Sequence, residues 1–492
     1  MVKTRKKRVK PNKTKLRNKP KTYQKTRKRK SPKSPKSPKS SKSSKITNDK
    51  PESGIVKNRL CPEGTTFNDC ELIILRHAVD KAETIRGKTK LENETIKTII
   101  HIVEEFLIRK KNICYGGTAI NNILPKQEQF YRKDIEFPDY DFFSPNALED
   151  AKLLADIYYK KGFREVEAKS GMHEGTYKVF VNFIPVADIT YMNRTIYTAI
   201  KNECIVKSGI LYAPPNFLRM SMYLELSRPM GDTSRWEKVL KRIRLLNKHF
   251  PLKGIKCDQI DIQRKFENSN LSSLDIFHLV KNKLIQKNVV FFGAMANRTY
   301  GRYMSNQVKN KLQTIPDFSV LSSSPQITIR DVESTLNSNG FKSTKIITHK
   351  PIGELISTHY ELKVGIDTIL FVFEPIACHS YNTISIEKQK LRIATIDTML
   401  SFYLAFLYSR RPYFEVNRIL CMCEFLFKVQ QKNRLAQKGL LKRFSTSCIG
   451  KQKSIEEMRG ERSDLYIKLR KDKTSKMYEK AFLRYLPDES RR

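Results

Sequence analysis

The sequence predicts an α/β (α+β) protein in which a mixed sheet flanked by helices occurs twice, with further helical segments. Between residues 92 and 190, short apolar runs typical of strands alternate with amphipathic stretches of helical spacing. The order of landmarks in this segment recurs near residues 274–375, which indicates a second, degenerate lobe. Most of the other apolar stretches have helical periodicity.

The first lobe begins with apolar residues at helical spacing and continues through short apolar runs bounded by glycine and proline. The predicted elements, in order, are a helix over 92–109, a strand over 113–115 that ends at Gly116-Gly117, a helix over 118–124, a strand over 138–143, a helix opened by an Asn146–Glu149 capping box and closed at Gly162, and two or three strands that end at 186–190.

Four landmarks recur in the second lobe at nearly equal spacing. Pro138-Asp139 corresponds to Pro316-Asp317, and the later landmark Asp188 corresponds to Asp367. The two copies differ where chemistry is expected, since Gly117 becomes Ala294, Thr118 becomes Met295 and Asp141 becomes Ser319. We therefore hypothesise that the second lobe keeps the fold and has lost metal binding.

The predicted organisation has five parts. A tail rich in Lys, Arg, Ser and Pro cannot bury enough apolar surface to offset its ordering entropy, so it is expected to be disordered. The parts are a basic tail over 1–57, a catalytic domain over 58–195, a mainly helical linker or nucleotide-binding region over 196–272, a degenerate copy over 273–390 and a helical basic region over 391–492.

The charge of the chain points to polyanionic partners. The net charge is +44, and residues 1–50 hold 22 Lys and Arg against one acidic residue, Asp49, so the tail and the body are both basic. A basic surface of this kind favours nucleic acid. Apolar runs are too short for a membrane span, and no apolar segment follows the basic N-terminus, so neither a membrane partner nor secretion is expected. The nine scattered cysteines predict idle thiols in a reducing compartment.

Three carboxylates are the candidate catalytic and metal-binding residues. Asp139 and Asp141 are separated by one residue in a predicted strand, so both side chains point to the same face. Two carboxylates that close repel each other, and a divalent cation with oxygen ligands, such as Mg²⁺, removes that repulsion. Asp188 ends a later strand and is positioned to supply a third carboxylate to a two-metal site.

A possible phosphate site lies next to these carboxylates in the sequence. Gly116 and Gly117 allow close backbone approach, the following helix offers free N–H groups, and Thr118 offers a hydroxyl. Further along, the dense cations Arg228, Lys238 and Lys241 are candidates for contact with ATP phosphates or RNA. The alternative is that these cations form a solvated helix face.

The combined order of these motifs resembles the DNA polymerase β-like nucleotidyltransferases. More narrowly, it resembles the poly(A) polymerase catalytic subunits of poxviruses and giant DNA viruses. In those proteins a serine is common where this chain has Thr118. The motifs that carry the resemblance are Cys114-Tyr115-Gly116-Gly117-Thr118, Pro138-Asp139-Tyr140-Asp141-Phe142-Phe143, Val186-Ala187-Asp188-Ile189, Pro215-Asn216-Phe217-Leu218-Arg219, Leu226-Ser227-Arg228-Pro229 and Arg235-Trp236-Glu237-Lys238.

The resemblance implies a nucleotidyltransferase fold and template-independent addition of AMP from ATP to mRNA 3′ ends, with Mg²⁺ or Mn²⁺ as cofactor. It also implies an RNA 3′ end as partner, a homodimer or an accessory processivity subunit, and location in the virion and the cytoplasm of an infected host cell. Two alternatives stay open. One is an RNA terminal nucleotidyltransferase with another NTP preference, and the other is a non-catalytic RNA-binding scaffold.

Overall fold

The computed structural model describes residues 60–61, 65–131, 137–260, 273–312, 315–353, 355–386, 388–433 and 436–488. The predicted disordered tail, residues 1–57, therefore lies outside the described residues. Contacts divide the chain into two units, residues 1–73 and 74–492. The described part of the first unit contains the start of the first helix and a disulfide between Cys61 and Cys70.

The chain contains helices and strands in alternation over most of its described length. The helices are α1 (Phe67–Glu92), α2 (Glu94–Lys110), α3 (Gly116–Ile123), α4 (Ala147–Lys160), α5 (Arg194–Lys201), α6 (Pro215–Leu226), α7 (Trp236–His249), α8 (Ser273–Gln286), α9 (Gly293–Tyr300), α10 (Asn306–Lys311), α11 (Pro325–Ser338), α12 (Ile396–Phe406), α13 (Val416–Lys432), α14 (Ile455–Leu469) and α15 (Lys476–Phe482). The strands are β1 (Ile113–Cys114), β2 (Tyr140–Ser144), β3 (Val166–Ser170), β4 (Thr176–Val181), β5 (Ile184–Tyr191), β6 (Ile205–Lys207), β7 (Ile210–Tyr212), β8 (Val290–Phe292), β9 (Phe318–Leu321), β10 (Thr344–His349), β11 (His359–Val364), β12 (Asp367–Phe373), β13 (His379–Ile386), β14 (Gln389–Ala394), β15 (Cys448–Ile449) and β16 (Arg484–Tyr485).

Two mixed sheets of eight strands organise the second unit. The first has the order β16-β3-β4-β5-β2-β1-β7-β6, and the second has the order β10-β11-β12-β9-β8-β14-β13-β15. Seven consecutive positions match between the sheets, from β3 and β10 at one end to β6 and β13 at the other. The pairing directions match too, because β2 runs parallel to β5 as β9 runs parallel to β12. The predicted duplication and the mixed α/β fold class are therefore confirmed.

The duplication extends beyond the predicted segment. The matched strands β7 and β14 each lead into a buried helix, α6 in the first lobe and α12 in the second, followed by α7 and α13. The equivalent helices α6 and α12 pack against each other, and rings of Phe217 and Tyr408 meet there at 5.3 Å between centroids. The two lobes therefore share one apolar core.

Several predicted elements need correction. The helix α3 begins at Gly116, not near Thr118, so both glycines lie in its first turn. The capping box at Asn146 is wrong, because that side chain makes no capping bond. The Ser144 hydroxyl instead accepts the Asn146 N–H and donates to Asp150. The hairpin β6–β7 lies in a region predicted as mainly helical.

The expectation of idle cysteines is wrong for six of the nine. Disulfides join Cys61 to Cys70, Cys257 to Cys421 and Cys378 to Cys448. The three free thiols are Cys114, Cys204 and Cys423. The partners in two of these pairs lie 164 and 70 residues apart, so their proximity arises from tertiary packing. Within the described residues, no helix is long and apolar enough to cross a membrane.

Candidate active site

Three charged side chains form a row across neighbouring strands of the first sheet. On the parallel strands β2 and β5, Asp141 lies directly opposite Asp188. On the antiparallel pair β4 and β5, Lys178 lies directly opposite the same Asp188. Residues opposite each other in a sheet project to the same face, so the two carboxylates and the ammonium group share one face. We call Asp141, Asp188 and Lys178 the charged row.

Asp139 lies beside the charged row but not in a strand. It immediately precedes β2, which begins at Tyr140, so the predicted strand starts later than expected. Its carboxylate is still electrostatically coupled to its neighbours, because the charge of Asp188 raises the pKa of Asp139 and that of Asp139 raises the pKa of Asp141. The structure therefore brings all three predicted aspartates together.

The carboxylates repel each other in a partly buried site. Burial is the main cause that raises the pKa of Asp141 to about 7, and the charges of Asp139 and Asp188 add to it. Lys178 and Arg235 oppose that shift. Burial is also the main cause that raises the pKa of Asp139. Close carboxylates with raised pKa values are stabilised by a cation.

The cation that contacts the carboxylates is Lys178, whose ammonium group forms a salt bridge with Asp188. Among the residues that the structure describes, no group of three or more His, Cys, Asp or Glu is arranged to hold a metal ion. The donor chemistry nevertheless fits Mg²⁺ or Mn²⁺, since these ions prefer carboxylate oxygens. In this structure the ammonium group of Lys178 supplies positive charge next to Asp188.

The turn before α3 brings the backbone close to the carboxylates. Gly116 has a φ of +72°, and a Cβ added there would lie 2.4 Å from the Oδ2 atom of Asp141. The N–H of Tyr115 donates to the Asp141 carbonyl oxygen at 2.8 Å, which fixes the turn against β2. Only glycine combines this conformation with this close approach.

The second glycine lies under a cation and a tyrosine. A Cβ on Gly117 would lie 2.4 Å from the Tyr131 hydroxyl and 3.0 Å from Arg242. Arg242 donates to that hydroxyl at 2.6 Å, and its guanidinium lies 4.9 Å from the centroid of the Phe130 ring. The side-chain oxygen of Asn121 accepts the N–H groups of Phe130 and Tyr131, both at 2.8 Å.

The three predicted phosphate-binding cations, Arg228, Lys238 and Lys241, lie in different surroundings. Lys238 lies between Arg235 and Arg242 on one face of α7, by helical spacing. Lys241 lies beside that face, where it is exposed and pairs with Glu237 at 2.7 Å. Arg228 follows α6, and its charge opposes the raised pKa of Glu225, which is caused mainly by burial. Glu225 also pairs with Arg235 at 3.2 Å.

Thr118 has a partner within the protein. Its hydroxyl donates to the main-chain oxygen of Asp139 at 2.6 Å, and the residue is buried. In this structure the hydroxyl therefore anchors the segment that carries Asp139. A phosphate contact by Thr118, as the sequence suggested, requires this hydrogen bond to change.

The second lobe has lost two of the three carboxylates, not one. Asp141 corresponds to Ser319, because each lies against the glycine that begins the preceding helix, Gly116 of α3 or Gly293 of α9. Ser319 pairs with Phe371 on β12, so Phe371 occupies the position of Asp188. The proposed correspondence between Asp188 and Asp367 is therefore wrong by four residues. Equal chain spacing concealed a difference in the lengths of the connecting strands and turns.

Sequence reasoning missed several residues of the site. Lys178 could have been found from strand alternation, which places it on the same face of β4 as Thr176 and Phe180. Arg242 is not among the predicted site residues, because its contact with Tyr131 joins residues 111 apart in the chain. Asn121 and Tyr131 have no local signal of their role.

The fold and the site agree with the class of protein that the sequence motifs resemble. A mixed sheet with carboxylates in register on parallel strands, under a Gly-Gly turn that opens a helix, is the arrangement expected from the resemblance to the nucleotidyltransferases. The solved structure of the Megavirus polyadenylate synthase has this fold, with a TM-score of 0.71 over 87% of each chain and 21% sequence identity.

Sequence comparisons narrow that class. Residues 101–232 match the family described as poly(A) polymerase catalytic subunit. A protein of African swine fever virus, named provisionally as such a subunit, is 32% identical over 200 residues, 39% of this chain and 41% of that protein. A counterpart of Acanthamoeba polyphaga mimivirus is 29% identical over 293 residues, 58% of this chain and 45% of that protein.

These matches confirm the resemblance that the motifs predicted, and residues 101–232 carry it most clearly. The chain aligns with less than half the length of these two curated viral relatives. The matched segment includes Asp139, Asp141, Asp188 and the Gly-Gly turn.

Proposed function

We propose that this protein is a template-independent polynucleotide adenylyltransferase that adds AMP from ATP to mRNA 3′ ends by a two-metal mechanism. The observation that carries the proposal is the register of Asp141 against Asp188 beneath the turn at Gly116. The similarity to viral poly(A) polymerase catalytic subunits supports adenylate as the transferred group.

Asp139, Asp141 and Asp188 are the proposed ligands of the Mg²⁺ or Mn²⁺ ions. When bound, such ions lower the pKa of the attacking 3′-hydroxyl and stabilise the pyrophosphate that leaves. Their positive charge would also remove the repulsion that raises the pKa values of Asp139 and Asp141.

The remaining residues bind and orient the nucleotide in this proposal. The first turn of α3 begins at Gly116 and has free N–H groups that attract anions, and Arg242 lies over Gly117 in that turn. The face of α7 with Arg235, Lys238 and Arg242 supplies positive charge close to that turn. Arg228 and Lys241 are assigned to the same region with RNA or ATP phosphates as their partners.

The test is extension of a labelled oligoribonucleotide with ATP, GTP, CTP or UTP separately, in the presence of Mg²⁺ or Mn²⁺. We expect a ladder of products with ATP. Preference for UTP, or addition limited to CTP and ATP, would instead identify another RNA terminal nucleotidyltransferase. Binding of RNA without extension by any NTP would identify a non-catalytic scaffold.

A matched pair of variants links the activity to the site. Asp141→Asn removes a proposed metal ligand and should abolish extension, by a factor of about 10³ or more. Ser319→Ala changes the equivalent position of the second lobe and should leave extension close to the unchanged protein. Retained activity in Asp141→Asn would refute the assigned site.

We also propose the partners and the location that the viral relatives suggest. The RNA 3′ end and ATP are the substrates, and a homodimer or an accessory processivity subunit would hold the transcript. The virion and the cytoplasm of the infected cell are the proposed locations. The measured mass in solution distinguishes self-association from dependence on a second subunit.

The domain division stays a proposal with one refinement. The lobe assigned to 58–195 gains β6 and β7 from the region assigned to 196–272, since these strands complete the first sheet. Likewise, β14 extends past residue 390, the proposed end of the degenerate lobe.

A further inference from the structure

The charged row contains a residue that the proposed mechanism does not yet use. Lys178 lies opposite Asp188, and its ammonium group binds the Oδ2 atom of that carboxylate. Its charge also opposes the raised pKa values of Asp139 and Asp141, so it acts on all three aspartates.

The second lobe provides an independent comparison. There, Phe371 occupies the position of Asp188, and Glu361 lies opposite Phe371 as Lys178 lies opposite Asp188. Glu361 is buried and binds His349 and Thr368 at 2.7 and 2.6 Å. The lysine is therefore absent in the lobe whose row has lost its carboxylates, and an acidic residue takes its place.

We propose that Lys178 is a positioning residue that occupies Asp188 until a divalent ion arrives and then turns to the triphosphate of the nucleotide. This inference rests on the proposed function, because it assigns the ion and the nucleotide to the same site. In this exchange the Asp188 carboxylate has a positively charged partner at every stage, first Lys178 and then the divalent ion.

The side chain of Lys178 has the freedom that this exchange needs. It is 39% exposed, whereas the side chain of Asp188 is 19% exposed. A lysine ammonium is a point charge on a flexible stem, which suits it to alternate between a carboxylate and a phosphate. The ion would take the buried partner, and the ammonium would remain in the open part of the site.

The experiment compares the unchanged protein with Lys178→Met, Lys178→Arg and Lys169→Met. Lys169 is a matched control, because it lies opposite Lys178 on β3 but pairs with Glu167. Titration calorimetry with Mn²⁺ alone, without RNA or nucleotide, measures ion affinity. Thermal melting in EDTA and in Mn²⁺ measures the stability of the same proteins, and ATP binding is measured at saturating Mn²⁺.

Lys178→Met should bind Mn²⁺ about tenfold more tightly, because no ammonium competes for Asp188. The same variant should bind ATP more weakly, and its melting temperature should rise more on Mn²⁺ addition than that of the unchanged protein. Lys178→Arg should retain the weaker Mn²⁺ affinity, and Lys169→Met should resemble the unchanged protein throughout. These opposite shifts in ion and nucleotide affinity are the signature of exchange.

Equal Mn²⁺ affinity in Lys178→Met and the unchanged protein would overturn the inference, as would tighter Mn²⁺ binding with unaltered ATP affinity. If Lys178→Met fails to fold, the arginine variant decides: Mn²⁺ affinity raised in Lys178→Arg contradicts competition by a positive charge. Failure of the adenylyl-transfer proposal is separate, because ion affinity and melting are measured without RNA extension.

Discussion

The two lobes have the same order of strands in their sheets, but the equivalent face carries different side chains in each lobe. In the first lobe, the charged row places two carboxylates and an ammonium across three strands. In the second, the equivalent positions are Ser319, Phe371 and Glu361. The fold thus does not depend on the charged row, which is the mark of residues kept for chemistry and not for folding.

Aromatic packing fills the site in the second lobe. The ring of Phe373 lies 5.4 Å from that of Phe292 and 4.6 Å from that of His359, between centroids. Helix α12 adds Phe402 and Phe406 to this cluster. The equivalent positions of the first lobe are polar by the same register, and Thr190 takes the place of Phe373. One lobe has a partly exposed, charged face, and the other has a buried aromatic core at the same place.

The largest expected difference between the lobes is in catalysis. Asp188→Asn removes a proposed metal ligand and should reduce extension of an oligoribonucleotide with ATP by about 10³-fold or more. The double change Asp317→Asn and Asp367→Asn in the second lobe should keep extension within about twofold, since neither residue is paired in register with a second carboxylate as Asp188 is with Asp141. If the double variant loses a similar share of its extension activity with an unaltered melting temperature, the second lobe takes part in catalysis.

The next difference is in stability. Phe373→Ala removes a buried ring from the aromatic cluster and should lower the free energy of unfolding by roughly 3–5 kcal/mol. Thr190→Ala at the equivalent position removes hydrogen bonds to Tyr115 and Thr176 and should cost about 1 kcal/mol. Denaturant unfolding monitored by circular dichroism compares them, and equal losses would mean that the two faces are packed alike.

The smallest difference concerns pH in the metal-free protein. The folded-state pKa of Asp141 is about 7, above the ordinary value of 3.8, so its ionisation opposes folding. Stability from this group is complete below pH about 4, falls as pH rises, and is lowest above about 7. Asp141→Asn should therefore stabilise the protein in EDTA at pH 8 by on the order of 2 kcal/mol and have little effect near pH 4.

The control for that measurement is Ser319→Asn, the matched change in the second lobe. It has no ionisation to remove, so any effect on the melting temperature should be the same at pH 4 and pH 8. If Asp141→Asn shifts the melting temperature equally at both pH values, ionisation of Asp141 is not the cause of the change in stability.

Local patterns predicted much of the first lobe. Helix α2 is capped by Asn93, whose side chain accepts the Thr95 N–H, and its apolar stripe is buried as the spacing predicted. The strands that carry Asp141 and Asp188 were also found from short apolar runs between breakers. These features depend on nearby residues, so a single sequence contains them.

Long-range pairing accounts for what the sequence did not reveal. The register between strands places Phe371, and not Asp367, at the position equivalent to Asp188. The spacing of residues along the chain does not determine this register. The same holds for Lys178 against Asp188, for Arg242 over Gly117 and for the disulfide of Cys257 with Cys421. Each is a contact made only when distant elements dock.

The packing of α6 against α12 has a practical consequence for the production of shortened forms of the protein. The segment that matches the polymerase family, residues 101–232, ends just after α6, whose apolar side is covered by the second lobe. A truncated version that stops there would expose Phe217, which touches Tyr408 in the intact chain, and would lack the α7 face with Arg242. The recognisable domain is thus smaller than the smallest piece expected to remain monodisperse in solution.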